Sequence, residues 1–149
     1  MMDRRQDWPE RLAAWVEAVR ARPFAWGTWD CAAAAADAVF WLTDSNPLAG
    51  LVWADVRGAL RQLEVDGGLQ AAVTARLGEP IAAAYAQRGD VVLTGRVWPG
   101  NGEIEDEAHI HLRTALCVCI GDRCVGPTRA GLGFLPMSEA TLAWKVGRG

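Results

Sequence analysis

Five consecutive alanines, Ala32 to Ala36, stand directly behind a cysteine and a loop rich in tryptophan, Phe24-Ala25-Trp26-Gly27-Thr28-Trp29-Asp30-Cys31. Alanine is the strongest helix former and its methyl group lets another backbone come close, so the run predicts a helix held tightly by its neighbours, from about Trp29 through Trp41. Thr28 is the expected N-cap, and Asp30 suits the positive end of the helix dipole. Cys31 would then sit where backbone N–H groups point outward and stabilise a thiolate, which is the setting of a nucleophile. The same residues also fit a small apolar side chain at a close helix contact. Trp26 and Trp29 weigh toward the first reading, because large, specific side chains on both sides of Gly27 exceed what a connector needs.

The chain has 149 residues, enough for one domain, 1–149, whose core needs neither a metal nor a disulfide. A net charge of −3 without any block of lysine or arginine leaves no electrostatic footprint for nucleic acid. Cys117 and Cys119 lie two apart on an expected strand, and the N-terminus carries no apolar leader. Cys31, Cys117, Cys119 and Cys124 therefore read as free thiols of a reducing compartment. No apolar run reaches spanning length once its charges are counted, so no membrane insertion is expected.

In chain order, Asp7-Trp8-Pro9-Glu10 has the pattern of a capping box with proline in the first turn. Trp8, Leu12, Trp15, Val16 and Val19 follow at helical spacing, and Arg22-Pro23 ends that helix. The alanine helix ends at Thr43-Asp44-Ser45-Asn46-Pro47. A third helix is expected over Ala54 to Val65, stopped by Asp66-Gly67-Gly68, and a fourth over Leu69 to Leu77. After Gly89-Asp90 the period changes: Val91, Val92 and Leu93 form a β-prone run. A long polar loop, Gly95 to Ala108, leads to a strand from His109 to Ile120, a turn at Gly121-Asp122 and a strand from Arg123 to Gly126. Gly131 to Pro136 suggests a further strand, Ser138 a capped helical turn, and Leu142 to Val146 a last strand. The expectation is an α+β fold, N-terminal helices followed by a small antiparallel sheet. Eight tryptophans are many to bury in such a domain, which marks Trp53 and Trp98 as candidates for a partner surface.

A cysteine opening a helix, further helices, a Gly-Asp strand and a hairpin of apolar strands are the parts, in order, of papain-like NlpC-type cell-wall peptidases. The chain resembles a divergent member of that superfamily, of the kind encoded among phage and prophage tail genes. The matching residues are Trp26-Gly27 with Asp30-Cys31, Arg88-Gly89-Asp90-Val91-Val92, and Ala115-Leu116-Cys117-Val118-Cys119-Ile120-Gly121. The Gly131-Leu132 to Trp144 tail fits as well, so the resemblance runs from about residue 5 to the C-terminus. It implies a papain-like single domain with Cys31 as nucleophile and Trp26, Trp29 and Asp30 at the substrate, although Asp30 also reads as a cap.

Active relatives begin the second core strand with the histidine that deprotonates the cysteine; alignment on Gly121 puts Ala115 there. A cysteine of ordinary pKa without a base is a poor nucleophile near neutral pH. His109 and His111 share strand parity with Ala115, and His111 is the candidate substitute base, although an extended strand sets it about 13 Å upstream. His109, His111, Cys117, Cys119 and Cys124 are zinc-compatible types without a zinc spacing, so no metal or other cofactor is expected. The expected role is that of a tail-tip or tail-assembly component lacking the usual catalytic histidine, located in the virion tail or in the host bacterial cytoplasm during assembly. Its expected partners are other phage tail-tip proteins. The alternative is an active cysteine endopeptidase cutting the stem peptides of peptidoglycan during phage entry.

Overall fold

A computed structural model describes residues 2–49, 51, 68–95 and 115–147. Helix α1 spans Trp8–Val19, with Asp7 at its N-cap and proline in its first turn. No side-chain bond forms the expected capping box; Asp7 instead takes Arg5 Nε at 3.3 Å. The apolar stripe behaves as its spacing implies, with Leu12, Trp15 and Val19 buried. Helix α2 spans Cys31–Thr43 and buries residues on nearly every side: Ala32, Ala34, Ala35, Ala36, Ala38, Val39 and Leu42. That is why it is built of alanine. One side meets α1, where Trp15 Nε1 donates to Asp37 at 2.9 Å, and the other lies against the sheet. Helix α3 spans Leu69–Leu77 and ends at Gly78, whose φ is +94°. The helix expected over Ala54 to Val65 lies outside the described residues, as do Trp53 and Trp98.

Six strands, β1 (Ile81–Ala82), β2 (Val91–Thr94), β3 (Ala115–Cys119), β4 (Arg123–Thr128), β5 (Gly131–Pro136) and β6 (Ala140–Trp144), form one antiparallel sheet. Their order across it is β1-β6-β2-β3-β4-β5. Side-chain alternation sorts the sheet into two faces. Val91, Leu93, Leu116 and Trp144 pack with Ala32, Ala35, Ala36 and Val39 of α2, while Val118 and Val125 pack with Ala34, Ala38 and α1. Val92, Cys117, Cys119, Cys124, Leu135 and Ala143 form a separate cluster on the opposite face. The chain is an α+β protein: helices on one face of an antiparallel sheet.

The sheet is closed at one corner by a strap from the N-terminus. Asp90, fully buried at the start of β2, accepts from Arg4 Nη2 at 3.0 Å, Val146 N at 3.1 Å and Gln87 N at 2.9 Å. Arg4 also donates to the carbonyls of Val146 and Arg88, each at 2.7 Å, and stacks over the Trp8 ring. Gly89 has φ +91°, and a Cβ there would come within 3.1 Å of the Arg4 guanidinium. The Gly-Asp pair thus serves strand entry and the strap. A one-turn 3-10 helix at Met137–Glu139 follows Pro136, which takes the cap position expected of Ser138.

Candidate functional site around Cys31

The tryptophan loop is fixed from both ends. Ala25 and Trp29 exchange backbone bonds of 3.1 and 2.7 Å across the turn, Gly27 takes φ +80°, and Phe24 N donates to Thr128 O at 2.8 Å, tying the loop to β4. Trp29 is buried beneath the Arg22 guanidinium, 4.2 Å from its ring centroid, and Trp26 meets Phe24 edge to face at 5.0 Å.

Asp30 is the N-cap of α2, in place of Thr28. Its two carboxylate oxygens reach in opposite directions, one to Ala33 N at 2.8 Å and the other to Gly27 N at 3.2 Å. One side chain therefore caps the helix and closes the loop, which a single threonine hydroxyl could not do at both distances. Burial raises the Asp30 pKa, and the backbone N–H bonds oppose that shift. With Asp30 and Trp29 buried and engaged in this way, both act in the scaffold; Trp26, partly exposed, is the one of the three expected substrate contacts that keeps a surface.

Cys31 is the first residue of α2, and its environment opposes the thiolate expected from that position. Burial pushes the thiol up to about 12, and the neighbouring Asp30 carboxylate pushes in the same direction. Backbone N–H groups of Leu116, Ala32 and Cys31 itself pull the other way and lose. Loss of hydration outweighs the helix terminus, because a few fixed dipoles replace only part of the water a thiolate needs. At neutral pH the thiol therefore keeps its proton.

On the sheet, the backbone at the start of β3 lies beside Cys31. Leu116 packs in the cluster that contains α2, whereas Cys117 and Cys119 belong to the opposite face, and alternation puts Ala115 on their side. Leu116 lies beyond Val118 and Cys119, the residues of β3 in register with β4, and its N–H reaches the Cys31 sulfur. The Leu116 N–H thus faces the thiol, and Ala115, aligned with the usual histidine, is the residue before it in the strand. His109 and His111 lie outside the described residues.

A family model, Domain of unknown function (DUF6950), matches residues 3–146. The chain belongs to this family. Neither the curated proteins nor the solved structures contain a match. The DUF6950 match takes in the strap at Arg4, the tryptophan loop, Cys31 and all six strands. Among the described residues no group of three histidine, cysteine or acidic side chains is arranged to hold a metal, and no helix is long and apolar enough to cross a membrane.

The balance at Cys31 yields a direct expectation. Asp30→Asn keeps a good capping side chain but removes the charge next to the sulfur. Alkylation of Cys31, followed by mass spectrometry at pH 9, should become faster than in the unmodified chain. An unchanged or slower rate would mean that the carboxylate does not act on the thiol.

Proposed function

We propose that this chain is a phage or prophage tail-tip or tail-assembly component, built on a papain-like NlpC-type scaffold in which Cys31 packs rather than reacts. The observation that carries this reading is the packing of Cys31, partly buried, against the core cluster that holds Leu116, beside an Asp30 carboxylate that opposes its ionisation. The order of parts supports the scaffold: a cysteine at the first residue of a core helix, against an antiparallel sheet whose Gly-Asp strand is central. Other tail-tip proteins are its proposed partners, and the tail, or the host cytoplasm during assembly, its proposed location.

The second reading, a peptidoglycan endopeptidase with Cys31 as nucleophile and His111 as base, is favoured by one specific feature. Backbone N–H groups of Leu116 and Ala32 converge on the sulfur, as donors to a thiolate or to an oxyanion must.

One pair of measurements separates the two. Cys31→Ala should restore tail assembly, scored by electron microscopy, as fully as the unmodified gene in a deletion background, and the purified protein should release no new amino groups from isolated sacculi. Sacculus digestion that disappears in Cys31→Ala would overturn the assembly reading in favour of the peptidase. Tails that form normally in the deletion background would remove the assembly role altogether.

A further inference from the structure

We propose that Cys119 and Cys124 form a thiol–disulfide exchange site, an opposed dithiol on the sheet face away from α2 that a low-molecular-weight disulfide oxidises to a cross-strand bond.

The geometry comes from the β3–β4 hairpin. Cys119 and Cys124 are direct partners in the register, one step inside the turn pair Ile120–Arg123. Ile120 N donates to Arg123 O at 2.9 Å, so the next pair is of the non-hydrogen-bonded kind. The bonds of Cys119 agree: its N–H goes to Asp90 O at 2.9 Å and its carbonyl accepts from Gly89 N at 2.8 Å, both on the β2 side. Cα atoms in such pairs stand about 4.5 Å apart with their side chains close, inside the span of about 4.4–6.8 Å that a disulfide bridges. No backbone rearrangement is needed to join them.

The third thiol of the cluster distinguishes the other two. Cys117, diagonal to Cys124 on the same face, hydrogen-bonds to the Cys124 sulfur, and this bond draws the Cys124 pKa down, while burial holds Cys117 well above its usual range. Burial also raises Cys119. Cys124 is therefore the thiol that ionises first, Cys117 its donor, and Cys119 the one placed to complete the bond. Cys31, the first residue of α2, packs instead against the cluster on the helix-bearing face.

The chemistry balances without any group from elsewhere in the protein. The Cys124 thiolate attacks one sulfur of the small disulfide, forming a mixed disulfide and expelling one thiolate. Cys119 then gives its proton to solvent and attacks the Cys124 sulfur, forming the Cys119–Cys124 bond and expelling the second thiolate. Two protein thiols are oxidised, and one disulfide is reduced to two small thiols that take up the two protons. Both cysteines are buried, but Gly121, Asp122 and Arg123 at the hairpin tip are exposed. Opening the end of the hairpin by two pairs suffices to admit the reagent, the kind of local fraying that needs no global unfolding.

Peptide mapping tests this in the intact chain. The protein is equilibrated in mixtures of reduced and oxidised glutathione, quenched with acid, alkylated in denaturant and digested with trypsin. Cleavage after Arg123 separates Cys124 from Cys119, so the expected bond holds two peptides together, and fragmentation places it at Cys119. The number of alkylated cysteines should fall from four to two as the mixture becomes oxidising. Cys117→Ser should still form the bond and Cys119→Ser should not. A bond to Cys117 or Cys31 instead, a mixed disulfide that persists on Cys124, or four alkylated cysteines in oxidised glutathione alone would each overturn the proposal, and the unmodified protein reports all of these without any variant.

Discussion

Asp90→Ala is expected to cost about 3–5 kcal/mol of folding stability, the usual loss when one partner of a buried ion pair is removed. The carboxylate is fully buried and its partner Arg4 has only 7 % of its side chain exposed, so water cannot take its place. Two backbone donors, Val146 N and Gln87 N, lose their acceptor at the same time. In a chain of this length the melting temperature should fall by about 6–20 °C. Arg4→Met alone should also destabilise. The double variant Arg4→Met, Asp90→Ala should lose less than the two single losses added, since no charge is then left buried without a partner. Urea unfolding of the four proteins measures this cycle. A loss under about 1 kcal/mol for Asp90→Ala would show that the strap contributes little.

Alkaline pH should unfold the protein through its thiols. An unfolded cysteine ionises near pH 8.5, whereas Cys31 holds its proton until about 12 and Cys117 is likewise raised well above its usual value. The folded state therefore binds more protons than the unfolded state across this window. Stability is full below about pH 8.5 and declines as pH rises toward 12, by at most about 1.4 kcal/mol per pH unit for each thiol. Urea midpoints at pH 8, 9, 10 and 11 should fall accordingly, and Cys31→Ala should remove a part of the thiol-dependent slope, the rest coming from Cys117 and Cys119. Parallel curves for the two proteins would mean that Cys31 ionises in the folded state much as it does in the unfolded one.

The same thiol shows where sequence reasoning stops. Its placement at the opening of a helix was legible, because an alanine run behind an acidic residue has few other solutions. Its ionisation was not, because the burial that strips its hydration comes from a core assembled out of residues distant in sequence. Asp30 displaced Thr28 as the cap for a local reason that could have been weighed: a carboxylate offers two acceptors, and both Gly27 N and Ala33 N needed one. Helices α1 and α3 were readable from spacing and from a closing glycine.

Strands were less so. The two-residue strand β1 has no alternation to read and exists because β6 pairs with it at Ile81↔Ala143 and Ala82↔Leu142. Strand β6 starts at Ala140, two residues before the run of bulky side chains, because a register shift against β2 pairs Thr94 with Ala140. The strand expected over Arg123 to Gly126 continues through Pro127 to Thr128. Pro127 sits opposite Leu132, whose N–H turns outward to Arg20 O at 2.9 Å, so no ladder bond is lost. The strand order, with β6 between β1 and β2, is a property of contacts far apart in the chain and has no local signature.

The strap that clamps Asp90 also brings residues 4 and 147 together: Arg4 N donates to Gly147 O at 3.3 Å. A polypeptide joined to this fold at either side would enter and leave through a single point on its surface. The domain can thus be carried like a bead on a loop, held by one narrow neck while its remaining faces stay available to neighbours.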